Sequence, residues 1–152
     1  MKHAIIAVGR WKSGPERALF EHFAGRIKPS PQLIEVEERK KLPPAELMRA
    51  EADLLLGQVP DGAAVVALDG AGRALSSREI AKRVGDWRDT GVREIAWLIG
   101  GADGHGAAVL ARADLKLSFG AQTWPHLMVR AMLAEQLFRA QSILAGHPYH
   151  RE

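Results

Sequence analysis

The chain ends on HPYHRE, a segment that places side chains of different chemistry close together. His147 and His150 carry imidazoles, the side chains most often used as general acids and bases, Tyr149 offers an aromatic face, and Arg151 is a permanent cation that pairs with anions. Residues at chain ends are usually frayed and solvated, so the hexapeptide alone also fits a disordered end. The rest of the sequence has to decide between the two interpretations.

A glycine-rich segment, LIGGADGHG, is the clearest candidate for a ligand site. Gly100, Gly101, Gly104 and Gly106 fall within seven residues, where absent side chains let a ligand approach the backbone. The spacing matches neither the G-x-G-x-x-G motif of dinucleotide binding nor a phosphate-binding P-loop. The glycines could instead only turn the chain tightly, with Asp103 as a helix cap, and the two interpretations are about even.

A second candidate is FGAQTWPH, residues 119–126, which carries little charge. Small residues and Trp124 precede a proline that suits the first turn of a helix, and together they could form an apolar wall for a flat heterocycle such as adenine. Packing of the tryptophan in the core is the alternative. His126 and Arg130 lie four residues apart, so they share a helix face and could approach one site.

The elements that must position these residues are strands alternating with helices. Such alternation requires crossover connections, and it therefore predicts a single α/β domain with a mainly parallel sheet flanked by helices. The predicted strands are HAIIAVG (3–9), PQLIEVEE (31–38), AAVVALD (63–69), EIAWLIG (94–100) and LKLSFG (115–120), and the predicted helices cover residues 13–27, 43–59, 76–91, 105–113 and 125 to about 145.

Ligands of such sheets bind beyond the carboxyl ends of the strands. Three strand ends qualify here, followed by ALDGAG, LIGGADGHG and LSFGAQTWPH. The last helix is apolar on more than one side, which a helix wet on one face does not need. It is either buried centrally or shared with a second subunit, and a homodimer is favoured.

Composition excludes several classes of protein. The 152 residues are 47% hydrophobic and 26% charged, as in a globular domain, and the absence of cysteine removes disulfides and thiolate chemistry and fits the cytoplasm. No stretch suits a signal peptide or a membrane span. The net charge of +3 permits an anionic partner such as nucleic acid. Metal binding by HPYH is disfavoured because no carboxylate or cysteine cluster accompanies the two histidines.

Three of these segments carry a resemblance to a known family. LIGGADGHG, LSFGAQTWPHLMVRAMLAEQLFRAQSI and HPYHRE resemble the SPOUT-class methyltransferases that methylate N3 of a pseudouridine in large-subunit ribosomal RNA, and AVG and ALDGAG extend the resemblance over nearly the whole chain. It implies a SPOUT fold with a C-terminal deep trefoil knot, a homodimer, and S-adenosyl-L-methionine as cofactor. The implied cofactor contacts are Leu68, Gly100, Phe119, Gly120, Ala121, Gln122, Thr123 and Trp124.

The resemblance also changes the interpretation of the tail. His147, Tyr149, His150 and Arg151 become predicted catalytic residues that clamp the RNA and assist removal of the imide proton, although the residues do not say which histidine acts as the base. One short domain offers few groups that read bases, which favours the assembled ribosome as substrate. The rival from another class is a non-enzymatic ribosome- or RNA-binding module, which predicts no affinity for the cofactor.

Overall fold

The computed structural model of the protein describes residues 1–151. Five strands form one sheet in the order β2-β1-β4-β3-β5, and all four pairings are parallel, which confirms the predicted α/β class. The strands are β1 Lys2–Val8, β2 Gln32–Val36, β3 Ala64–Arg73, β4 Glu94–Ile99 and β5 Leu115–Leu117, and the helices are α1 Pro15–Ala24, α2 Pro44–Gly57, α3 Ser77–Asp89, α4 Ala107–Arg112 and α5 His126–Ala145.

Helices cover both faces of the sheet, which is why the central strands are continuous apolar runs. In β1, Ile5 and Ala7 join the core beneath α1, α3 and α5, whereas Ala4 and Ile6 join the core beneath α2 and α4. Successive side chains of a strand point to opposite faces, so a strand buried on both sides needs apolar residues at every position.

Two predicted boundaries at the carboxyl edge of the sheet are wrong. Strand β3 runs on to Arg73, with an irregular register between Leu68 and Arg73 where it pairs with β5. Strand β5 ends at Leu117, and the backbone N–H of the next residue, Ser118, donates to the carbonyl of Arg73. The loops after β3 and β5 are therefore held to each other.

The start of α3 agrees with the prediction from the sequence, whereas the start of α4 does not. Ser76 caps α3 as predicted, and it forms a reciprocal capping box with Glu79. Helix α4 starts only after Gly106, so Asp103 is not its cap. The predicted knot is a property of chain threading that sheet order does not test, and it stays a prediction.

Helix α5 is partly buried in its own chain and partly exposed. Leu133, Leu137 and Phe138 lie in the core, whereas Met128 is 40% exposed. Met128 lines an apolar groove of about 720 Å³ between α1, α3 and α5, together with Leu19, which is 49% exposed. Core burial thus explains only one side of the helix.

Candidate active site

A cavity of about 570 Å³ opens at the carboxyl edge of the sheet, where the loops after β3, β4 and β5 meet. This volume falls in the range of sites for small molecules and cofactors. All eight residues predicted to contact the cofactor line it: Leu68, Gly100, Phe119, Gly120, Ala121, Gln122, Thr123 and Trp124. Three segments that are distant in sequence therefore form one site.

The glycine-rich loop brings backbone to the cavity surface and also turns the chain tightly. The N–H of Gly104 donates to Gly101, and Gly104 has a φ of 81°, in the left-handed region that glycine adopts without strain. A β-carbon on Gly100 would lie 3.1 Å from the carbonyl of Gly104, so a side chain there would displace the loop. The two interpretations of the glycines are thus compatible.

The loop after β5 is shaped by its own hydrogen bonds. The N–H of Gly120 donates to the hydroxyl of Ser118, and the indole N–H of Trp124 donates to the carbonyl of Phe119 at 3.2 Å. Trp124 is 37% exposed and lines the cavity, so it is part of the wall rather than of the core. The loop therefore presents backbone groups and an aromatic surface to the same space.

His126 and Arg130 do not converge on one site. His126, the first residue of α5, lines the cavity, and its Nδ1 is buried with no hydrogen-bond partner among residues 1–151. Arg130 is fully buried behind it, where Nη1 contacts Glu35 at 2.7 Å and Nη2 donates to the carbonyl of Gly9 at 3.0 Å. Arg130 thus fixes the end of β1, whereas His126 faces the ligand space.

His105 is a buried residue behind the cavity wall that sequence reasoning missed. It is buried, its Nε2 lies 3.0 Å from the carbonyl oxygen of Leu98, and its Nδ1 would be 3.2 Å from a β-carbon on Gly100. Burial lowers the pKa of His105, which favours the neutral ring with Nε2 donating to Leu98. The sequence feature that could have pointed to His105 is a histidine, which can gain or lose a proton, inside a glycine-rich segment.

The tail residues form a separate cluster against the second half of α5. Helix α5 ends at Ala145, its C-cap Gly146 is in the left-handed conformation, and the chain then turns back along the helix. The ring of Tyr149 packs edge-on against Phe138 at 4.6 Å between centroids. His147 and Arg151 are exposed, and Glu152 lies outside the described residues. The tail is therefore an ordered structure rather than a frayed end.

Polar contacts hold this cluster on α5. The hydroxyl of Tyr149 donates to Glu135 at 3.1 Å, Arg139 pairs with Glu135 at 2.8 Å, and Nη1 of Arg139 lies 3.2 Å from Nδ1 of His150. Burial, and next the negative charge of Glu135, raise the pKa of Tyr149, so this phenol stays protonated near neutral pH.

No tail residue lines the cavity of its own chain. The cavity lies at the first residues of α5, whereas the tail folds back from the last residue as far as Glu135. Positions 126 and 135 are nine residues apart, which is about 14 Å along the helix at 1.5 Å per residue. The eight cavity residues are brought together, whereas His147, Tyr149, His150 and Arg151 all lie outside that cavity.

Comparison with known proteins identifies the family. The family model described as "Predicted SPOUT methyltransferase" matches residues 1–150. Two relatives named "Ribosomal RNA large subunit methyltransferase H", from Paramagnetospirillum magneticum and Rhodospirillum rubrum, are 58% and 56% identical to this chain, each over 99% of both chains. The chain belongs to the SPOUT methyltransferase family.

Membership decides between the two classes of function left open by the sequence. A SPOUT methyltransferase is an enzyme, so the non-enzymatic RNA-binding module is disfavoured. Residues 1–151 contain no group of three or more histidine, cysteine, aspartate or glutamate side chains placed to hold a metal ion. No helix in this part of the chain combines the length and apolar character needed to cross a bilayer.

Proposed function

We propose that this SPOUT methyltransferase transfers a methyl group from S-adenosyl-L-methionine to N3 of a pseudouridine in large-subunit ribosomal RNA. The observation that carries the proposal is the full-length similarity to relatives named as ribosomal RNA large subunit methyltransferases, at 56% to 58% identity. The position of the methylated atom rests on the resemblance of the C-terminal third and the tail to enzymes with that specificity.

The cavity at the carboxyl edge fits the proposed cofactor. Its volume of about 570 Å³ suits a ligand of that size, and Gly70 and Gly104 leave open space, with no described atom within 4 Å of a β-carbon built on either. Phe119 and Trp124 offer apolar surface for the adenine, and the loop backbones supply polar groups. The cofactor, when bound there, supplies a methyl group already activated for in-line attack.

The protein's own task is to position the acceptor and to remove its proton. The N3 imide of a pseudouridine is a weak acid and a poor nucleophile until it is deprotonated, so a base or a cation near it favours reaction. His147 or His150 would accept the proton, and Arg151 would stabilise the developing anion. Tyr149, whose hydroxyl donates to Glu135, would offer its ring as an aromatic surface for the base.

These two sets of residues act together only if a tail reaches a cavity, and no tail residue lines the cavity of its own chain. We infer that the tail of one subunit completes the cavity of its partner in a homodimer. The apolar groove between α1, α3 and α5, with Leu19 and Met128 exposed, is the surface on which a second copy would pack. Glu135, which holds Tyr149, lines that groove, so dimer and tail would share one support.

The proposed substrate is the assembled ribosome rather than free RNA. A chain of 152 residues offers few groups that read bases directly, so recognition would depend on the shape of a folded particle. Since ribosomes act in the cytoplasm, we expect the protein to act there.

A calorimetric titration with S-adenosyl-L-methionine, followed by methyl transfer to ribosomes that lack the modification, tests the proposal. We expect binding to the wild-type chain and incorporation of one methyl group per particle at N3 of a pseudouridine. A wild-type protein that binds the ribosome but not the cofactor would instead support the RNA-binding module. Cofactor binding with methylation of a different nucleotide would contradict the proposed target atom.

A further inference from the structure

Five exposed cations lie beyond the carboxyl ends of β1 and β2, outside the cavity and the tail. We name them the basic edge: Arg10 and Lys12 in the loop from β1 to α1, and Arg39, Lys40 and Lys41 in the loop from β2 to α2. Because every strand pairing is parallel, these loops leave the same edge of the sheet as the loops that form the cavity. Strands β1 and β2 are neighbours, about 4.8 Å apart, so the two loops form a continuous surface.

Buried contacts hold the first of these loops in place. The backbone N–H of Trp11 donates to Glu35 at 2.7 Å, and the same carboxylate pairs with the fully buried Arg130 at 2.7 Å. The guanidinium of Arg130 also lies 4.7 Å from the centre of the Trp11 ring. Arg10 and Lys12, on either side of Trp11, therefore extend from a fixed backbone. A charge presented in this way loses less freedom when it binds a partner.

The same contacts place the basic edge beside the cavity. A β-carbon on Gly101 would lie 3.2 Å from Cγ1 of Val8, and one on Gly9 would lie 3.3 Å from Cε1 of His126. Gly101 and His126 both line the cavity. The end of β1 therefore forms the back of the cavity wall, and the chain passes directly from that wall into the basic edge.

The basic edge carries excess positive charge. The two loops contain two carboxylates, and Glu37 lies 3.7 Å from Arg10 and 3.8 Å from Arg39 in exposed pairs. Exposed pairs of that length contribute little and exchange readily for another anion. Glu38 accepts the backbone N–H of Lys40, which orders the loop without neutralising the ammonium groups.

We propose that the basic edge binds the phosphate backbone of the RNA strand whose target nucleotide enters the cavity. This inference rests on the proposed function, because an RNA substrate is what makes a row of cations beside the cavity productive. Phosphates along a strand repeat at short intervals, so a fixed row of cations can neutralise several at once. The basic edge would give affinity and register, while the cavity and the tail act on the target base.

The test measures methyl transfer to unmodified ribosomes over a series of KCl concentrations. The test variant is Lys40→Gln with Lys41→Gln. The matched control is Lys2→Gln with Arg93→Gln, which removes the same charge from exposed positions at the opposite, amino edge of the sheet. We expect the test variant to raise KM about tenfold with little change in kcat. The slope of log(kcat/KM) against log[KCl] should become shallower by about 1.5, since each lost phosphate contact removes roughly 0.7 to 0.9.

The outcomes separate this inference from the function on which it rests. Both variants should bind S-adenosyl-L-methionine like the wild type, because none of the four residues lines the cavity. Equal KM values and equal salt slopes for the two variants would overturn the role of the basic edge while the proposed function stands. A wild-type enzyme that binds the cofactor but methylates no ribosomal RNA would overturn both.

Discussion

The start of α5 and its second half support two different kinds of structure. At its first residues, loops from three strands form a cavity largely from backbone and small side chains, with Trp124 as a wall. Against its second half, a cluster of aromatic and charged side chains, Tyr149 on Phe138 and Arg139 on Glu135, holds the tail. The first region encloses a space that could hold a ligand, whereas the second lines no part of that space.

This difference explains how a short chain could assemble an active site. A cavity made by backbone tolerates few changes of shape, and it needs no second copy to form. A tail with the proposed catalytic role, in which His147 and Arg151 are exposed, contributes only where another cavity comes within reach. The comparison therefore predicts that changes in the two regions affect different measurements.

The largest effect is expected at the cavity, from Gly100→Trp. A β-carbon at this position would already lie 3.1 Å from Gly104 and 3.2 Å from His105, and the indole would fill the ligand space. Affinity for S-adenosyl-L-methionine should fall by at least 100-fold in calorimetry. Gly57→Trp is the control, since a β-carbon on this exposed glycine meets no described atom within 4 Å. Unchanged affinity in a folded Gly100→Trp protein would mean that the cofactor binds elsewhere.

The next largest effect concerns the groove that would join two subunits. Leu133 is unsuitable for this test because it is 1% exposed in its own chain, so a charge there would unfold the monomer. Met128→Glu places a charge on the exposed side of the same helix, and Met128→Leu is its matched control. Sedimentation should show a dimer for wild type and Met128→Leu, and a folded monomer without transferase activity for Met128→Glu. A fully active monomer would remove the need for a partner's tail.

A smaller effect is expected at the tail, from Tyr149→Ala. Removing the ring deletes its contacts with Phe138 and Glu135, so His150 and Arg151 lose their support. Methyl transfer should fall roughly 100-fold, in the range typical of a displaced acid or base, while cofactor affinity stays within twofold of wild type. Tyr149→Phe, which removes only the hydroxyl, should lose less. A parallel loss of cofactor affinity would show that the two regions are not separable in this way.

The smallest effect at neutral pH is expected at His3, in strand β1 of the central sheet. Burial, and next the N-terminal amine, lower the pKa of His3 to about 4, and its Nδ1 accepts the indole N–H of Trp97 at 3.0 Å. His3 therefore binds a proton more tightly in the unfolded chain than in the folded one. As a result, the free energy of unfolding decreases as pH falls from about 6.5 towards 4, by about 3 kcal/mol in total.

His3→Gln keeps an acceptor for Trp97 but does not titrate, so urea unfolding of this variant should depend less on pH than that of wild type. Cofactor binding and transferase activity should decline together in acid, because both regions depend on one sheet. Identical pH profiles for the two proteins would contradict the assignment to His3.

Local sequence patterns predicted the elements and the place of the cavity. The strands were recognisable because burial on both faces requires continuous apolar runs, and the capping box at Ser76 marked the start of α3. The rule that ligands bind at the carboxyl ends of parallel strands then directed attention to the three loops that line one cavity. Each strand, cap and loop in this argument is specified by residues that are close together in the sequence.

Features that depend on distant pairs could not be predicted. Arg130 and Glu35 are 95 positions apart, and no periodicity shows that one buried cation fixes the loop after β1. The extension of β3 to Arg73 depends on pairing with β5, and the burial of His105 depends on the turn that Gly104 allows. The order of the strands follows from packing of helices that single segments do not encode.

Complementation between two inactive proteins tests the central claim, that each active site joins one subunit's cavity to its partner's tail. One protein lacks residues 147–152 and keeps its cavity, and the other carries Gly100→Trp and keeps its tail. Each homodimer should be inactive. Purified heterodimers should recover methyl transfer to unmodified ribosomes at up to half the wild-type rate, because one of their two sites has both parts. Heterodimers that bind the cofactor but transfer no methyl group would contradict the account.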